Sequence, residues 1–431
     1  MNRRRLAIVT VAVGLIAGGV RTSAQQPLTL AAAQAEARAH APDPAELQAR
    51  VSEAEAIAAQ ASRLFRQNPN VSTSYGSGAV IGRPDERAWT FGIAQLFDVS
   101  GSRQPRTASA TADVARARFD QDDGLRALDE RVAVAIAQVG LQQRLVAREE
   151  RILALQTIAA DAAHRQLDVG QGTQLDADSA DLDLAGTRVI VEQTRAELGR
   201  ARVQLARLLG RESAADLVVE DPPESFADVA SSDLATIVNR DPRVRAAAAE
   251  LDAARFERQM IDRLVTPVPT IGVEFGSQRR DIPAGSFGGA PFAGGLTAVW
   301  PDRELAFNVS VPLPFFDRQQ ESRARSTGRI LAAEARLRVA QADVRSELEA
   351  AWLSLQGAAR ATQAVATTPD LIERDAGFVE QAVRAGAFDA VTRSLTLRRL
   401  EEAGRRLDTA IRDYRIARAA WLRRTAGLQR P

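Results

Sequence analysis

Few of the side chains that perform chemistry are present in this chain. It has two histidines, His40 and His164, no cysteine, and every basic residue is arginine. The absence of lysine removes Schiff-base chemistry, Ser/Lys dyads and the P-loop lysine, so ATP hydrolysis is not expected. With no cysteine and only Met1 and Met260, no soft or imidazole-rich metal site can be assembled within one chain. His164 stands alone on a charged stretch without a partner motif. Glu149-Glu150 and Glu401-Glu402 are sequence neighbours that point to different helix faces, so neither is a general acid/base pair. There is no Gly-x-Ser-x-Gly elbow. The 56 basic and 55 acidic residues leave a formal charge of +1, too little to hold a nucleic acid. These counts predict no enzyme, no cofactor, no bound metal and no nucleic-acid partner.

What remains are turns and carboxylates set in a repeated frame. Asp168-Val169-Gly170-Gln171 and Ala385-Gly386-Ala387-Phe388 interrupt long helical patterns, with glycines that allow tight turns. Just past the first turn lie Asp176, Asp178, Asp181 and Asp183, and just past the second lies Asp389. These carboxylates fit either an acidic pore entrance or a solvated helix face.

The elements that position these turns are of two kinds. Arg3, Arg4 and Arg5 precede an apolar run from Leu6 to Val20, and Thr22-Ser23-Ala24 offers small residues for cleavage, so residues 1–24 read as a signal peptide. The run is too short for a membrane-spanning anchor, and no later window is long and apolar enough. Residues 25–220 form a first unit: a helix broken at Pro42, a strand pair at about 70–97, and a helical hairpin at about 101–210. After a linker at 221–230, residues 231–431 repeat the order, with a strand pair at about 268–313 and a hairpin at about 319–427. Leu125, Val132, Val139, Val146 and Leu153 recur every seven residues. So do Leu175, Leu182, Val189, Ala196, Val203 and a second column, Leu184, Val191, Leu198, Leu205. Two rods of roughly 50 Å each are expected for the first hairpin.

In the strands, Trp89, Phe91 and Ile93 alternate with small or polar residues, as do Leu305, Phe307, Val309 and Val311. The alternation suits a lipid-facing surface over a polar lumen, or a soluble layer packed on helices. Four strands cannot close a membrane barrel, which needs about eight, so several chains would have to share one.

This order, with Gly170 followed by Leu175, Ala177 and Leu182 and then Leu205 to Gly210, resembles the TolC family of outer-membrane efflux factors. Gln95 to Arg103 and Pro312 to Arg318 resemble more narrowly its heavy-metal cation efflux (CzcC-like) branch. The resemblance covers essentially the whole mature chain. It implies a mainly α fold with a small β part: a homotrimer whose helical hairpins form an α-barrel and whose four strands per chain make a shared 12-stranded transmembrane β-barrel. It further implies a passive exit duct in the outer membrane of a Gram-negative bacterium. An inner-membrane pump of the resistance-nodulation-division type would supply the energy, through a periplasmic adaptor (membrane fusion) protein. On that reading Val169, Gly170, Gln171, Gly386, Ala387 and Phe388 are adaptor-docking tips, and Asp168, Asp176 and Asp389 border the pore entrance. Trp89, Phe91, Ile93, Phe307, Val309 and Val311 face outer-membrane lipid. The competing reading is a soluble periplasmic coiled-coil scaffold or adaptor.

Overall fold

The computed structural model describes residues 27–65, 67–80, 83–214, 217–220, 234–282, 298–384 and 390–425. Residues 1–24, expected to be a signal peptide, and the expected linker at 221–230 lie outside the described residues. The chain runs through α1 (Leu30–His40), α2 (Pro42–Ala61), β1 (Asn70–Val80), β2 (Arg83–Leu96), α3 (Arg103–Asp168) and α4 (Gln174–Leu209). It continues through α5 (Leu234–Arg240), α6 (Pro242–Arg263), β3 (Thr270–Ile282), β4 (Ala298–Ser310), α7 (Gln320–Ala364), α8 (Thr368–Arg384) and α9 (Ala390–Thr425). It is a mainly helical fold with a small four-stranded sheet.

Local sequence sets the ends of these elements. The Thr29 hydroxyl accepts the Ala32 N–H at the start of α1, and Pro42 and Pro242 occupy first-turn positions of α2 and α6, where a missing N–H costs nothing. Gly210 closes α4 at φ 72°, and a Cβ there would lie 2.5 Å from the His40 carbonyl oxygen, so only glycine fits.

One expectation needs correcting. The two rods of the first hairpin are unequal: α3 has 66 residues and α4 has 36, about 99 and 54 Å. The extra length arises because the N-terminal part of α3 stays helical while packing on α2 and α6 instead of α4. In the second half the matching length is divided, with α7 and α8 separated by a turn at 365–367 and Pro369 in the first turn of α8.

The two larger apolar clusters among the described residues hold the rods. Leu128, Val132 and Val139 of α3 pack with Leu198, Leu205 and Leu209 of α4 and with Ala33 and Ala37 of α1. Val344, Leu348 and Leu355 of α7 pack with Tyr414 and Trp421 of α9 and with Ile237 of α5. On α4 the column Leu184, Val191, Leu198, Leu205 is buried, whereas Leu175, Leu182, Val189 and Val203 are exposed, Leu175 by 77%. Both columns are heptad-spaced, but one α3 rod covers only one face.

The strands form one antiparallel sheet in the order β1-β2-β3-β4, so the two halves of the chain meet at the β2–β3 pairing and β1 and β4 are its edges. Each sheet strand that leads into a long helix does so through a residue in the left-handed region. After β2 this is Gly101 (φ 75°), but after β4 it is Gln319 (φ 62°). A side chain is disfavoured there by roughly 1–2 kcal/mol. Gln319→Gly is therefore expected to raise the unfolding midpoint, with a net gain of about 0.5–1 kcal/mol after the entropy cost of glycine, measured by thermal melts of the purified protein.

Candidate functional site

The sheet has two chemically distinct faces. In register across β1 to β4, one face carries the rows Val71–Ile93–Val273–Phe307, Thr73–Phe91–Phe275–Leu305 and Tyr75–Trp89–Ser277–Arg303. Gln95–Ile271–Val309 form the row on the helix side. Trp89 and Phe275 meet edge to face at 5.5 Å. All six residues expected to face lipid, Trp89, Phe91, Ile93, Phe307, Val309 and Val311, are exposed in the single chain, Phe307 by 73%. Val311 lies just beyond β4. The opposite face carries Asn70–Ala94–Gly272–Asn308, Ser72–Gly92–Glu274–Ala306 and Ser74–Thr90–Gly276–Glu304. Its polar groups bond across strands: Asn308 donates to Glu274 at 3.2 Å, and the hydroxyls of Ser74 and Thr90 lie 2.8 Å apart. No helix of the described residues is long and apolar enough to cross a membrane, and no helix covers the apolar face of the sheet.

The sheet is joined to the helices by a knot of side chains around Asp98. Its carboxylate accepts the Ser100 N–H at 3.1 Å, the Ser100 hydroxyl at 2.5 Å, the Ser102 hydroxyl at 2.6 Å and the Arg106 guanidinium at 3.4 Å. Arg106 in turn donates to the carbonyls of Ala61 and Arg63, and Arg103 to that of Ser62, so the end of α2 is tied to the start of α3. Burial pushes the Asp98 carboxyl up, but the hydrogen bonds from Ser100 and Ser102 and the Arg106 charge outweigh it and hold it below the usual range. Because the folded value is depressed, this stabilisation is present above about pH 4 and is lost as pH falls through the lower folded value. Asp98→Ala, which leaves the Ser100, Ser102 and Arg106 donors without their acceptor, is expected to cost about 2–3 kcal/mol at pH 7. It should also flatten the acid limb of the stability–pH curve, both read from denaturant melts between pH 3 and 7.

At the far end, α3 and α4 meet in a closed turn. Val169 donates to the Arg165 carbonyl, Gly170 (φ 72°) to Leu167, and Gln171 and Gly172 both to Gln166. The turn leaves the side chains of Asp168, Val169 and Gln171 and the backbone of Gly170 exposed. Thr173 caps α4 in a capping box: its hydroxyl accepts the Asp176 N–H at 3.2 Å and donates to the Asp176 carboxylate at 2.7 Å, which also accepts the Thr173 N–H. Asp176 is thus held in the cap, with its charge at the positive end of the helix. Asp178 accepts from Gln174, and Asp181 lies 3.0 Å from His164, joining α3 to α4. Gly386, Ala387, Phe388 and Asp389 fall outside the described residues.

A buried polar layer that the sequence reading missed joins the two halves midway along the rods. Asp408 of α9 is 1% exposed and lies between Arg144, at 3.0 Å, and Arg148 of α3. Glu149, also 1% exposed, accepts from Arg405 at 2.9 Å, which also pairs with Glu401 at 2.8 Å. Burial, and then the Glu149 charge, push the Glu401 carboxyl above the usual range. Gly404 makes room for the layer: a Cβ there would lie 2.3 Å from the Arg148 guanidinium. One signal was present in the sequence. The α3 column Leu128, Ala135, Gln142, Glu149, Gln156 is apolar at its start and polar afterwards, and Gln142, Glu149 and Gln156 are all buried.

Comparison with known proteins agrees with this architecture. Residues 234–427 match the family model described as outer membrane efflux protein. A curated relative, the outer membrane efflux protein BepC of Brucella suis biovar 1 (strain 1330), is 24% identical over 276 residues, 62% of this chain. That match spans 56% of the relative's length. Among solved structures, the outer-membrane channel OprN superimposes with a TM-score of 0.71 at 20% identity, covering 92% of this chain and 90% of that one. The outer membrane protein VceC from Vibrio cholerae superimposes with a TM-score of 0.70 at 17% identity, covering 92% and 95%. The fold is therefore that of these outer-membrane channel structures.

Proposed function

We propose that this chain, whose second half matches the outer membrane efflux protein family, is the exit duct of a tripartite efflux system. Three copies join their sheets edge to edge, β4 of one to β1 of the next, into a 12-stranded barrel through the outer membrane. Their helices continue it as an α-barrel into the periplasm. The observation that carries this reading is the sheet itself: four rows of mostly exposed side chains, apolar at their centre, back onto a small and polar face, and both edge strands lack a partner among the described residues. A lone sheet of this kind in water would expose both its apolar face and its strand edges. The exposed α4 column gives the hairpins an apolar seam for a neighbouring copy.

The finer assignment rests on resemblance. Gln95 to Arg103 and Pro312 to Arg318 resemble the CzcC-like branch, so the transported species are heavy-metal cations driven by a resistance-nodulation-division pump. A periplasmic adaptor meets the turns at Val169, Gly170 and Gln171 and at Gly386, Ala387 and Phe388. Asp168, Asp176 and Asp389 flank the pore entrance, residues 1–24 direct export, and Trp89, Phe91, Ile93, Phe307, Val309 and Val311 contact lipid.

The native chain has no cysteine, so disulfides report only on introduced pairs. Single cysteines at Ser72 to Tyr75 of β1, combined with single cysteines at Ala306 to Val309 of β4, should yield oxidised trimers for the pairs in register. Such bonds cannot form within one chain, because β1 and β4 lie at opposite edges of one sheet. A complete scan that gives only monomer would overturn the shared barrel. Loss of the gene should raise sensitivity to divalent metal salts more than to drugs; the reverse order would remove the metal assignment and leave the duct.

A further inference from the structure

A cavity of about 620 Å³ lies between α3, α8 and α9, within the size range of small-molecule sites and apart from both the sheet and the turn. Its lining is segregated along the rods. At one end Arg144, Arg148 and Arg151 form a row on one face of α3, spaced by four and three residues. Toward the turn, Leu155 and Ile158 of α3 face Leu397 and Leu400 of α9 around a small apolar cluster that also holds Val379 of α8.

We propose that this cavity binds a single-chain anionic amphiphile, its head group on the guanidinium row and its alkyl tail along the apolar end. From Arg144 to Ile158 the site extends about 21 Å along α3, which suits an elongated ligand. The carboxylate buried with the row is Asp408, which Arg144 and Arg148 share. Arg151, at the exposed rim, enters no ion pair among the described residues. A carboxylate or sulfate arriving there meets planar guanidinium donors and accepts charge-assisted hydrogen bonds from them. Glu373 and Glu380 line the α8 side and disfavour an anionic head away from the arginines. A neutral amphiphile gains only the apolar half of this arrangement.

The test uses the full-length protein in a nonionic detergent, titrated with decanoate and, in parallel, with decanol. Bound adducts are counted per chain by native mass spectrometry, so the reading does not depend on the oligomeric state or on the duct assignment. Saturable binding of one decanoate per chain is expected, with decanol at least tenfold weaker. Arg151→Gln, at an exposed rim position, should weaken decanoate at least tenfold, and Leu155→Trp should abolish it by filling the tail end. Binding that does not saturate, decanol binding as tightly as decanoate, or decanoate affinity unchanged in Arg151→Gln would each overturn the proposal.

Discussion

Asp408→Ala is expected to be the most damaging single truncation in the helical part of the molecule, costing about 3–5 kcal/mol. The side chain is 1% exposed and is the carboxylate that Arg144 and Arg148 share across the α3–α9 contact. Removing it leaves two guanidiniums, both less than one-fifth exposed, facing each other without that charge. The penalty is mainly that of stranded charge, not the lost attraction, because a buried pair gives back little more than its desolvation costs. The isosteric Asp408→Asn should recover part of the loss by keeping an acceptor for Arg144 Nε. Glu402→Ala serves as control. Glu402 and Arg406 are an exposed pair one helical turn apart, worth at most about 0.5 kcal/mol. Denaturant melts of the detergent-solubilised protein should show the largest loss for Asp408→Ala, a smaller one for Asp408→Asn and the smallest for Glu402→Ala. Equal losses for Asp408→Ala and Glu402→Ala would mean that the polar layer does not hold the two halves together.

The second large effect belongs to the sheet. Phe91 sits in the central row with Thr73, Phe275 and Leu305, on the face that no helix covers. If that face meets hydrocarbon, Phe91→Arg puts a guanidinium into lipid at a cost of about 2–4 kcal/mol per copy, and a trimer bears it three times. The amount of chain in the outer-membrane fraction should fall steeply. Glu304→Arg, placed on the opposite face of the same sheet, changes charge by two units yet should leave membrane residence unaltered. Were the sheet a soluble layer, the two substitutions would differ in folding yield but neither would change a membrane fraction.

The contrast between these two sites shows what could be read in the sequence. The strands were legible because alternation at period two, as in Trp89, Phe91 and Ile93, matches the pleat of a strand and not the turn of a helix. The long rods were legible because heptads persist over many turns. The length of α3 was not, since its first half packs against α2 and α6 and carries no sustained heptad column. Which α4 column would be buried was equally hidden, because Leu175 and Leu184 differ only in which neighbour is present to cover them. Asp176 read as a carboxylate of an acidic pore entrance or of a solvated helix face, and its place in a capping box was hidden because that role is set by the turn geometry at Thr173. The Asp408 layer needed the three-dimensional meeting of residues more than 250 positions apart: Arg144, Arg148 and Glu149 on one helix, Arg405 and Asp408 on the other. Only the polar residues interrupting the α3 core column hinted at it.

The most direct test expresses the chain with its N-terminal segment in a Gram-negative host, separates inner from outer membranes, and measures the extracted species by light scattering corrected for detergent. A trimer from the outer-membrane fraction is the expected result. A monomer or dimer in the soluble periplasm would contradict the shared barrel and turn the sheet into the packing layer of a scaffold protein.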